Sequence, residues 1–378
     1  MKKYVPAMGW NSWNTFAENI NEALIMESAD ALVDNGLLAL GYDYLVIDDC
    51  WSLKQRDATG RLVPDGEKFP HGMKYVADYV HSKGLKFGMY SCAGNLTCAG
   101  YPASFEHEFI DAETFAQWGV DFLKYDYCHK PLGVPGDVLY KTMGNALKTS
   151  GREILYNACN WGADKSYGWM KSAGVNSWRS TGDIVDAWKS ISHIAEEQIP
   201  LQPYFAPGIF NDMDMLVVGM NGKGHVGLTG CSFVEYRTHF SLWALLSSPL
   251  FIGCDIRSLS EESKTILTNR QVIAINQDEG AAQPYLAGDH PWPSENVDYV
   301  WVKPLDNGDL AIGLFNFGDV ESKVKFSLFD LGLGRSTGKT LQLRNLWTDA
   351  VERVENEVYV GTIKPHDCQL FRGSIVHA

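Results

Sequence analysis

The chain has 378 residues, of which 45% are hydrophobic and 21% are charged, a composition typical of a globular protein with room for one large domain and one small domain. Its formal net charge of −14 argues against nucleic acid and anionic membranes as partners, because both are bound by basic surfaces. The first residues contain two lysines but no apolar run, and no apolar stretch is long enough to span a bilayer. The sequence therefore predicts a cytoplasmic protein without a signal peptide or a transmembrane segment.

Apolar, β-branched or aromatic runs alternate with helical patterns over the first 280 residues. The eight candidate strands lie at 7–10, 44–47, 86–90, 122–125, 153–156, 177–180, 208–210 and 249–253. The first helix is expected between a cap at Asn21 and a stop at Gly36. Further helices are predicted at 72–83, 111–119, 136–150, 184–198, 235–247 and 259–270. This alternation predicts an α/β fold, a (β/α)8 TIM barrel over residues 1–280.

The pattern changes after a loop-rich stretch at 278–296, which contains Pro284, Pro291 and Pro293. Strands are predicted at 300–302 and 310–314, joined as a hairpin by an Asn-Gly turn at 307–308. The remaining strands are expected at 323–328, 340–346, 357–363 and 368–372. Residues 281–378 are therefore predicted to form a small C-terminal antiparallel β-sandwich domain that packs beside the catalytic unit.

Polar and aromatic residues cluster at the ends of the predicted barrel strands, which is where barrel enzymes hold their active sites. The clusters are DDCW at 48–51, KYDY at 124–127, CNW at 159–161, WRSTGD at 178–183 and NDMD at 211–214. The eight cysteines include no Cys-x-x-Cys pair, so we expect no zinc site. Aspartates combined with Trp and Lys indicate carbohydrate chemistry. In that chemistry one carboxyl protonates the leaving oxygen and another meets the oxocarbenium ion.

Asp126 is the candidate nucleophile, because Lys124 lies on the same face of the strand and would keep Asp126 ionised. The alternative is a structural ion pair between the two. Asp183 is the candidate acid/base, since poor solvation past the strand end would let it keep a proton, although it equally fits a helix cap. Three interpretations stay open for Asp48 and Asp49: a strand-end cap, a magnesium site, or binding of sugar hydroxyls.

Seven motifs, in order along essentially the whole chain, resemble those of the α-galactosidase (melibiase) family, glycoside hydrolase family 27. They are MGWNSWN at 8–14, IDDCW at 47–51, TCAGYP at 97–102, KYD at 124–126, Trp178-Arg179 with Asp183, Asn211-Asp212 with DML at 214–216, and INQD at 275–278. The resemblance implies a TIM barrel with a C-terminal antiparallel domain, and no cofactor or metal. It also implies a retaining exo-glycosidase that removes terminal α-D-galactosyl residues by double displacement through a covalent glycosyl-aspartate.

The resemblance also assigns the site residues. It implies that Asp126 is the nucleophile and Asp183 the acid/base, with their carboxyls about 5–5.5 Å apart. The implied substrate-binding residues are Trp13, Asp48, Asp49, Tyr90, Cys98, Lys124, Cys159, Trp161, Arg179, Asp214 and Met215.

Several of these residues have specific implied contacts. Asp48 and Asp49 would hold the axial O4 and the O6 hydroxyl, and Lys124 would bind O3 and O4. Near O2 we expect Arg179 and Cys159. The pocket walls would be Trp13 and Trp161, with Asp214 and Met215 closing the pocket.

Three positions depart from the family pattern. Cys92 stands where relatives usually carry Asp, Asn160 where many carry Glu, and Met213 where a proline is common. The change at Asn160 leaves the O2 side, and with it the exact sugar, open. Cys98 and Cys128 match positions that form a disulfide in secreted relatives. In a cytoplasmic chain the bond and the free thiols are equally open.

Other functions are compatible with the same residues. The nearest is a β-L-arabinopyranosidase, because that sugar is galactose without its hydroxymethyl group; an α-N-acetylgalactosaminidase is a further alternative. Outside this class, the chain fits an inactive sugar-binding barrel or a metal-dependent barrel enzyme. The expected partner is a small molecule or oligosaccharide with a terminal galactose. Family members are often dimers or tetramers, so the resemblance allows a homo-oligomer.

Overall fold

A computed structural model describes residues 5–288 and 297–378 of the chain. Within these residues, eight parallel strands form one curled sheet: β1 (Met8–Asn11), β2 (Tyr44–Val46), β3 (Lys86–Cys92), β4 (Phe122–Asp126), β5 (Leu155–Cys159), β6 (Ser177–Arg179), β7 (Phe210–Asp212) and β8 (Leu250–Ile252). Their order is β7-β6-β5-β4-β3-β2-β1-β8. Leu216 closes the ring, because its N–H donates to Phe251 O at 2.7 Å and its carbonyl accepts from Gly253 N at 2.9 Å. The predicted (β/α)8 barrel is confirmed.

Helices surround this sheet. In the described ranges they are α1 (Trp13–Phe16), α2 (Glu22–Asp34), α3 (Gly72–Ser82), α4 (Glu108–Trp118), α5 (Gly136–Thr149), α6 (Trp188–Glu197), α7 (Phe233–Leu245), α8 (Glu261–Leu267) and α9 (Arg270–Asn276). The predicted cap of α2 is present, since Asn21 Oδ1 accepts from Leu24 N at 2.9 Å. None of the helices in these ranges has both the length and the apolar character needed to cross a membrane.

Two helix predictions were partly wrong, one because the segment is divided between two helices and the other because the helix starts later. The segment predicted as one helix at 259–270 belongs to two helices, because the side chain of Asn269 accepts from the backbone of Gln271 and Val272 and so starts α9. The segment predicted at 184–198 becomes helical only at Trp188. Its first residues are held by other bonds, since Asp186 N donates to Val226 O at 3.0 Å.

The C-terminal part is an antiparallel β domain, as predicted. Its strands are β9 (Tyr285–Leu286), β10 (Asp298–Pro304), β11 (Leu310–Asn316), β12 (Ser322–Ser327), β13 (Lys339–Asn345), β14 (Val351–Arg353), β15 (Val358–Ile363) and β16 (Cys368–His377). One sheet has the order β14-β13-β16-β11-β10-β9, and β12 pairs with β15. The β10–β11 hairpin turns at the predicted Asn-Gly, with Gly308 at a φ of 85°.

Two strands were not predicted. The short edge strand β14 reads Val-Glu-Arg and is exposed throughout, so it carries no alternation of apolar and polar residues. Strand β9 is two residues long. Residues 1–4, and Pro291 and Pro293 of the predicted loop, lie outside the described residues.

Helix α7 joins the two domains. Nine of its thirteen residues are buried, because the barrel covers one side and strands β10, β11 and β16 cover the other. Trp243 of the helix belongs to one apolar core with Trp301 and Phe315 of the six-stranded sheet. A second apolar core fills the space between this sheet and the β12–β15 pair.

Candidate active site

A cavity of about 300 Å³ opens at the carboxyl ends of the barrel strands. Twelve of the thirteen side chains selected from the sequence line it: Trp13, Asp48, Asp49, Tyr90, Cys98, Lys124, Asp126, Trp161, Arg179, Asp183, Asp214 and Met215. The thirteenth, Cys159, is buried outside the cavity wall, where its Sγ accepts a hydrogen bond from Arg179 Nη1 at 3.7 Å. Residues from seven different barrel strands or strand ends therefore meet in one small space.

Asp126 is the last residue of β4, and its carboxylate is buried. Its Oδ1 accepts from Tyr127 N at 2.9 Å, and its Oδ2 accepts from Tyr90 Oη at 3.0 Å. Burial raises the pKa of Asp126 to about 6, although the Lys124 charge and the Tyr127 N–H act to lower it. The lysine therefore reduces the effect of burial without overcoming it, and Asp126 is mostly ionised only above about pH 6.

Lys124 forms its ion pair with Asp48. Its Nζ lies 2.8 Å from Asp48 Oδ2, which also accepts from Asn11 Nδ2 at 2.8 Å. Burial lowers the pKa of Lys124, but the negative charge of Asp48 and its acidic neighbours outweighs burial and raises it. An ammonium at this distance occupies the side of Asp48 that a magnesium ion would need, so the magnesium interpretation does not fit these residues.

Asp49 is buried beside Asp48 and also accepts backbone hydrogen bonds. Its Oδ1 accepts from Cys50 N at 2.7 Å and its Oδ2 from Ala99 N at 3.0 Å. Burial raises the pKa of this carboxyl. The two aspartates thus cap the end of β2 and line the cavity at the same time.

Arg179 connects the candidate acid/base to Asp214. Its Nη2 donates to Asp183 Oδ1 at 2.9 Å, and its Nη1 lies 3.0 Å from Asp214 Oδ1. Desolvation raises the pKa of Asp183, but Arg179 and Lys124 outweigh it and lower the pKa below its ordinary value. The side chain of Asp183 is 72% exposed. The expectation that Asp183 is poorly solvated and retains a proton is therefore wrong.

Asp214 has a left-handed backbone, with a φ of 73°, and its carbonyl accepts from Trp243 Nε1 at 2.7 Å. The preceding Met213 donates its N–H to Ser248 Oγ at 3.0 Å. Asn276, from the INQD motif, donates from Nδ2 to Ser248 O at 2.8 Å and to Trp243 O at 3.4 Å. The motif thus holds the loop that carries Asp214, although it lies outside the cavity.

Cys98 and Cys128 form a disulfide, with their Cα atoms 5.1 Å apart. Tyr90 Oη lies 3.4 Å from Cys98 Sγ, so the disulfide adjoins the tyrosine that contacts Asp126. Gly94 permits the close approach, because a Cβ there would lie 2.0 Å from Cys128 O. Among the described residues, the one group with three potential metal-ligating atoms close together is Cys98, Cys128 and Asp126, and the disulfide uses two of them.

The three departures from the family pattern do not line the cavity. Asn160 is buried and donates from Nδ2 to Ala163 O at 2.7 Å, which supports the turn in which Trp161 has a φ of 58°. Cys92 donates from Sγ to Cys128 O at 3.2 Å, and Met213 is buried in the core. Asn160 therefore acts on the cavity through the position of Trp161.

Sequence reasoning missed several residues of the cavity wall: Asn14, Ile184, Val185, His225 and Val226. His225 and Val226 come from the 219–231 loop, which contains no recognised motif. Its closely spaced glycines are the one sequence signal that could have indicated a loop of defined shape. Asn11 and Asn14 both belong to the MGWNSWN motif, and Asn11 orients Asp48 by donating from Nδ2 to Asp48 Oδ2 at 2.8 Å.

The chain is similar to proteins of one family over both of its parts. Residues 5–278 match the family described as alpha galactosidase A, and residues 298–372 match the alpha galactosidase C-terminal beta sandwich domain. An α-galactosidase of Cyamopsis tetragonoloba is 44% identical over 367 residues, which cover 97% of this chain and 85% of that protein.

Solved structures agree with the sequence comparison. The crystal structure of α-galactosidase I from Mortierella vinacea matches with a TM-score of 0.90 at 33% identity, covering 98% of this chain and 97% of that one. The structure of an α-galactosidase from Saccharomyces cerevisiae with raffinose matches with a TM-score of 0.88 at 31% identity, covering 99% and 98% of the two chains.

Proposed function

The chain belongs to the α-galactosidase family of glycoside hydrolases, and from that premise we propose that it removes terminal α-D-galactosyl residues from small glycosides and oligosaccharides with retention of configuration. The observation that carries the proposal is that Asp126 and Asp183 line one cavity of about 300 Å³ together with the Lys124–Asp48 pair. A cavity of this size lies at the lower end of the range for small-molecule sites, as expected for a single terminal sugar.

In the first step, Asp126 attacks the anomeric carbon and forms a glycosyl-aspartate ester, while the bond to the glycosidic oxygen breaks. Asp183 gives its proton to that oxygen, so the alcohol leaves neutral. In the second step, Asp183 takes a proton from water, and the resulting hydroxide displaces Asp126 from the same carbon. Galactose is released with its original configuration, and both carboxyls regain their starting charges.

The protonation of Asp126 and Asp183 makes these two reaction steps depend on the bound sugar. Asp126 has a raised pKa and Asp183 a lowered one, which is the reverse of what the first step requires. A bound galactoside covers Asp183 and excludes water from it, which favours its protonated form. We therefore propose that substrate binding itself prepares the acid.

Selection of galactose is proposed to rest on Asp48, Asp49 and Lys124. Their buried charged groups have fixed positions, so a sugar whose hydroxyls do not meet them leaves polar atoms unpaired. An equatorial O4, as in glucose, would do so. The two short aspartates also leave room for the hydroxymethyl group that galactose has and arabinopyranose lacks.

The test is hydrolysis of paired nitrophenyl glycosides, the α-D-galactoside against the β-L-arabinopyranoside, with and without EDTA. We expect strong preference for the galactoside, no effect of EDTA, and α-galactose as the first product seen by NMR. Preference for the arabinoside would overturn the sugar assignment but keep the mechanism. A β-configured first product would overturn the roles of both carboxyls, and loss of activity with EDTA would favour the metal-dependent alternative.

A further inference from the structure

A loop absent from the sequence-based site, residues 219–231, forms one side of the cavity mouth. It is organised around Asp186, which is fully buried. The carboxylate of Asp186 accepts from Gly222 N at 2.7 Å and from Tyr236 Oη at 2.9 Å. Its backbone bonds to Val226 O and Gly230 N, each at 3.0 Å. Asp186 is three residues from Asp183, so the loop is fixed directly to the segment that carries the candidate acid/base.

The same loop also contacts helix α1. His225 N donates to Thr15 O at 3.2 Å, and Val226 N donates to Asn14 O at 3.1 Å. Gly224 has a φ of 82°, and a Cβ there would lie 2.8 Å from Thr15 Cα. Hydrogen bonds to Asp186 and to α1 therefore fix the loop, and there is no room for a side chain at Gly224, where the loop lies against Thr15.

The His225 side chain is presented to the cavity by this loop. Its ring packs edge-on against Trp13, with ring centroids 5.3 Å apart and an interplanar angle of 74°, and both residues line the cavity. His225 is exposed, and within residues 5–288 and 297–378 neither of its ring nitrogens bonds to another side chain or carbonyl. Both nitrogens are free to exchange hydrogen bonds with a ligand.

The position of His225 relative to the two carboxyls suggests which part of the ligand it meets. The candidate nucleophile ends β4, whereas the loop lies between β7 and β8 and reaches toward β1, on the other side of the ring of strands. In double displacement the leaving group departs on the acid/base side, away from the nucleophile. His225 belongs to the loop that is bonded to the segment of Asp183, since Asp186 N donates to Val226 O at 3.0 Å.

We propose that His225, supported by Trp13, binds the leaving group of the substrate and favours leaving groups that are themselves sugars. The imidazole nitrogens would exchange hydrogen bonds with hydroxyls of the first sugar beyond the galactose, and the loop anchored on Asp186 holds the ring in place. This proposal rests on the proposed function, because it requires the galactosidase reaction at Asp126 and Asp183.

The test compares two α-galactosides whose leaving groups are both alkoxides and differ in size: melibiose, which loses glucose, and methyl α-D-galactopyranoside, which loses methanol. We expect His225→Ala to lower kcat/KM for melibiose about tenfold, the loss of one to two hydrogen bonds, and to leave the methyl glycoside within about twofold. Inhibition by free galactose is expected to stay unchanged. Leu228→Ala, an exposed residue of the same loop outside the cavity wall, is the matched control and should alter neither substrate.

A second variant tests the loop itself. Gly224→Ala should displace the loop from Thr15 and reproduce the selective loss on melibiose while His225 is intact. Equal losses on both substrates in His225→Ala, or no loss on either, would overturn the proposal. If the wild-type protein hydrolysed neither galactoside, the proposed function would fail instead, so the two failures are distinguishable.

Discussion

The two ends of the barrel both hold cavities, and the larger one is at the amino ends of the strands. That cavity is about 1140 Å³, against about 300 Å³ at the carboxyl ends. Three ion pairs lie at this end of the barrel: Lys86 with Asp43, and Arg152 and His81 each with Asp121. All of these pairs are partly exposed to solvent.

At the carboxyl ends the charges are shared and buried. Arg179 pairs with both Asp183 and Asp214, and Lys124 pairs with Asp48 while its charge also acts on Asp126. Burial raises the pKa of Asp126 to about 6, whereas the charges of Arg179 and Lys124 lower the pKa of Asp183. The comparison teaches that cavity volume is a poor guide to function here, whereas buried charges with shifted carboxyl pKa values identify the end where chemistry is possible.

The largest expected contrast is between one aspartate at each end. Asp126→Asn should lower kcat about 10⁴-fold or more, since the amide cannot form the glycosyl ester, and should still bind galactose. Asp121→Asn, which weakens bonds to Phe87 N, His81 and Arg152, should leave kcat within about twofold but reduce the free energy of unfolding by about 1–3 kcal/mol. Steady-state kinetics and urea unfolding of both variants check this. Equal loss of kcat in the two would remove the distinction between the ends.

The next effect separates the two carboxyls of the site. Asp183→Asn should lower kcat/KM about 10³-fold for methyl α-D-galactopyranoside but only about tenfold for the nitrophenyl glycoside, whose leaving group needs less protonation. Azide added to the variant should restore turnover of the activated substrate by replacing water as the attacking nucleophile. Equal losses on both substrates would count against an acid role for Asp183.

A smaller effect is expected from the residues that position Asp214. Trp243→Phe keeps the ring buried and removes the hydrogen bond to Asp214 O. We expect about a tenfold loss of kcat. We also expect the basic limb of the pH profile to move to lower pH. The reason is that, once Asp214 is displaced, the charge of Arg179 acts on Asp183 alone and lowers its pKa further. Trp301→Phe, in the same core but remote from Asp214, is the control. An unchanged pH profile in Trp243→Phe would mean that the bond matters only for stability.

The smallest effect is on stability, and its sign follows from the pKa of Asp126. A carboxyl whose pKa is raised from 3.8 to about 6 destabilises the folded state by about 3 kcal/mol when ionised. The penalty is absent below pH 3.8 and complete above about pH 6. Asp126→Asn should therefore raise the free energy of unfolding at pH 7.5 by about 1–3 kcal/mol, and by much less at pH 4.5. Denaturant unfolding at the two pH values measures this, and a variant less stable at pH 7.5 would contradict it.

Much of this arrangement was predictable from the sequence, because strand ends in a barrel must meet. The buried apolar strands predict the barrel, and the polar residues that follow the strands must all lie at the carboxyl end of that barrel. The protonation of Asp126 and Asp183 was not predictable, because it depends on how burial and two shared cations balance in three dimensions. The 219–231 loop with His225 was not predictable for a similar reason. Its residues are far from the motifs in sequence, and hydrogen bonds to Asp186 bring them to the cavity.

Helix α7 has a practical consequence for anyone who redesigns this protein. Its inner side carries Trp243, which holds a loop of the active site, and its outer side is covered by the β-sandwich. The β-sandwich therefore cannot be removed, or replaced by another domain, without changing the surroundings of α7. A shortened barrel would need a new polar exterior on α7, and a chimera would need a foreign sandwich whose inner face matches this helix residue by residue.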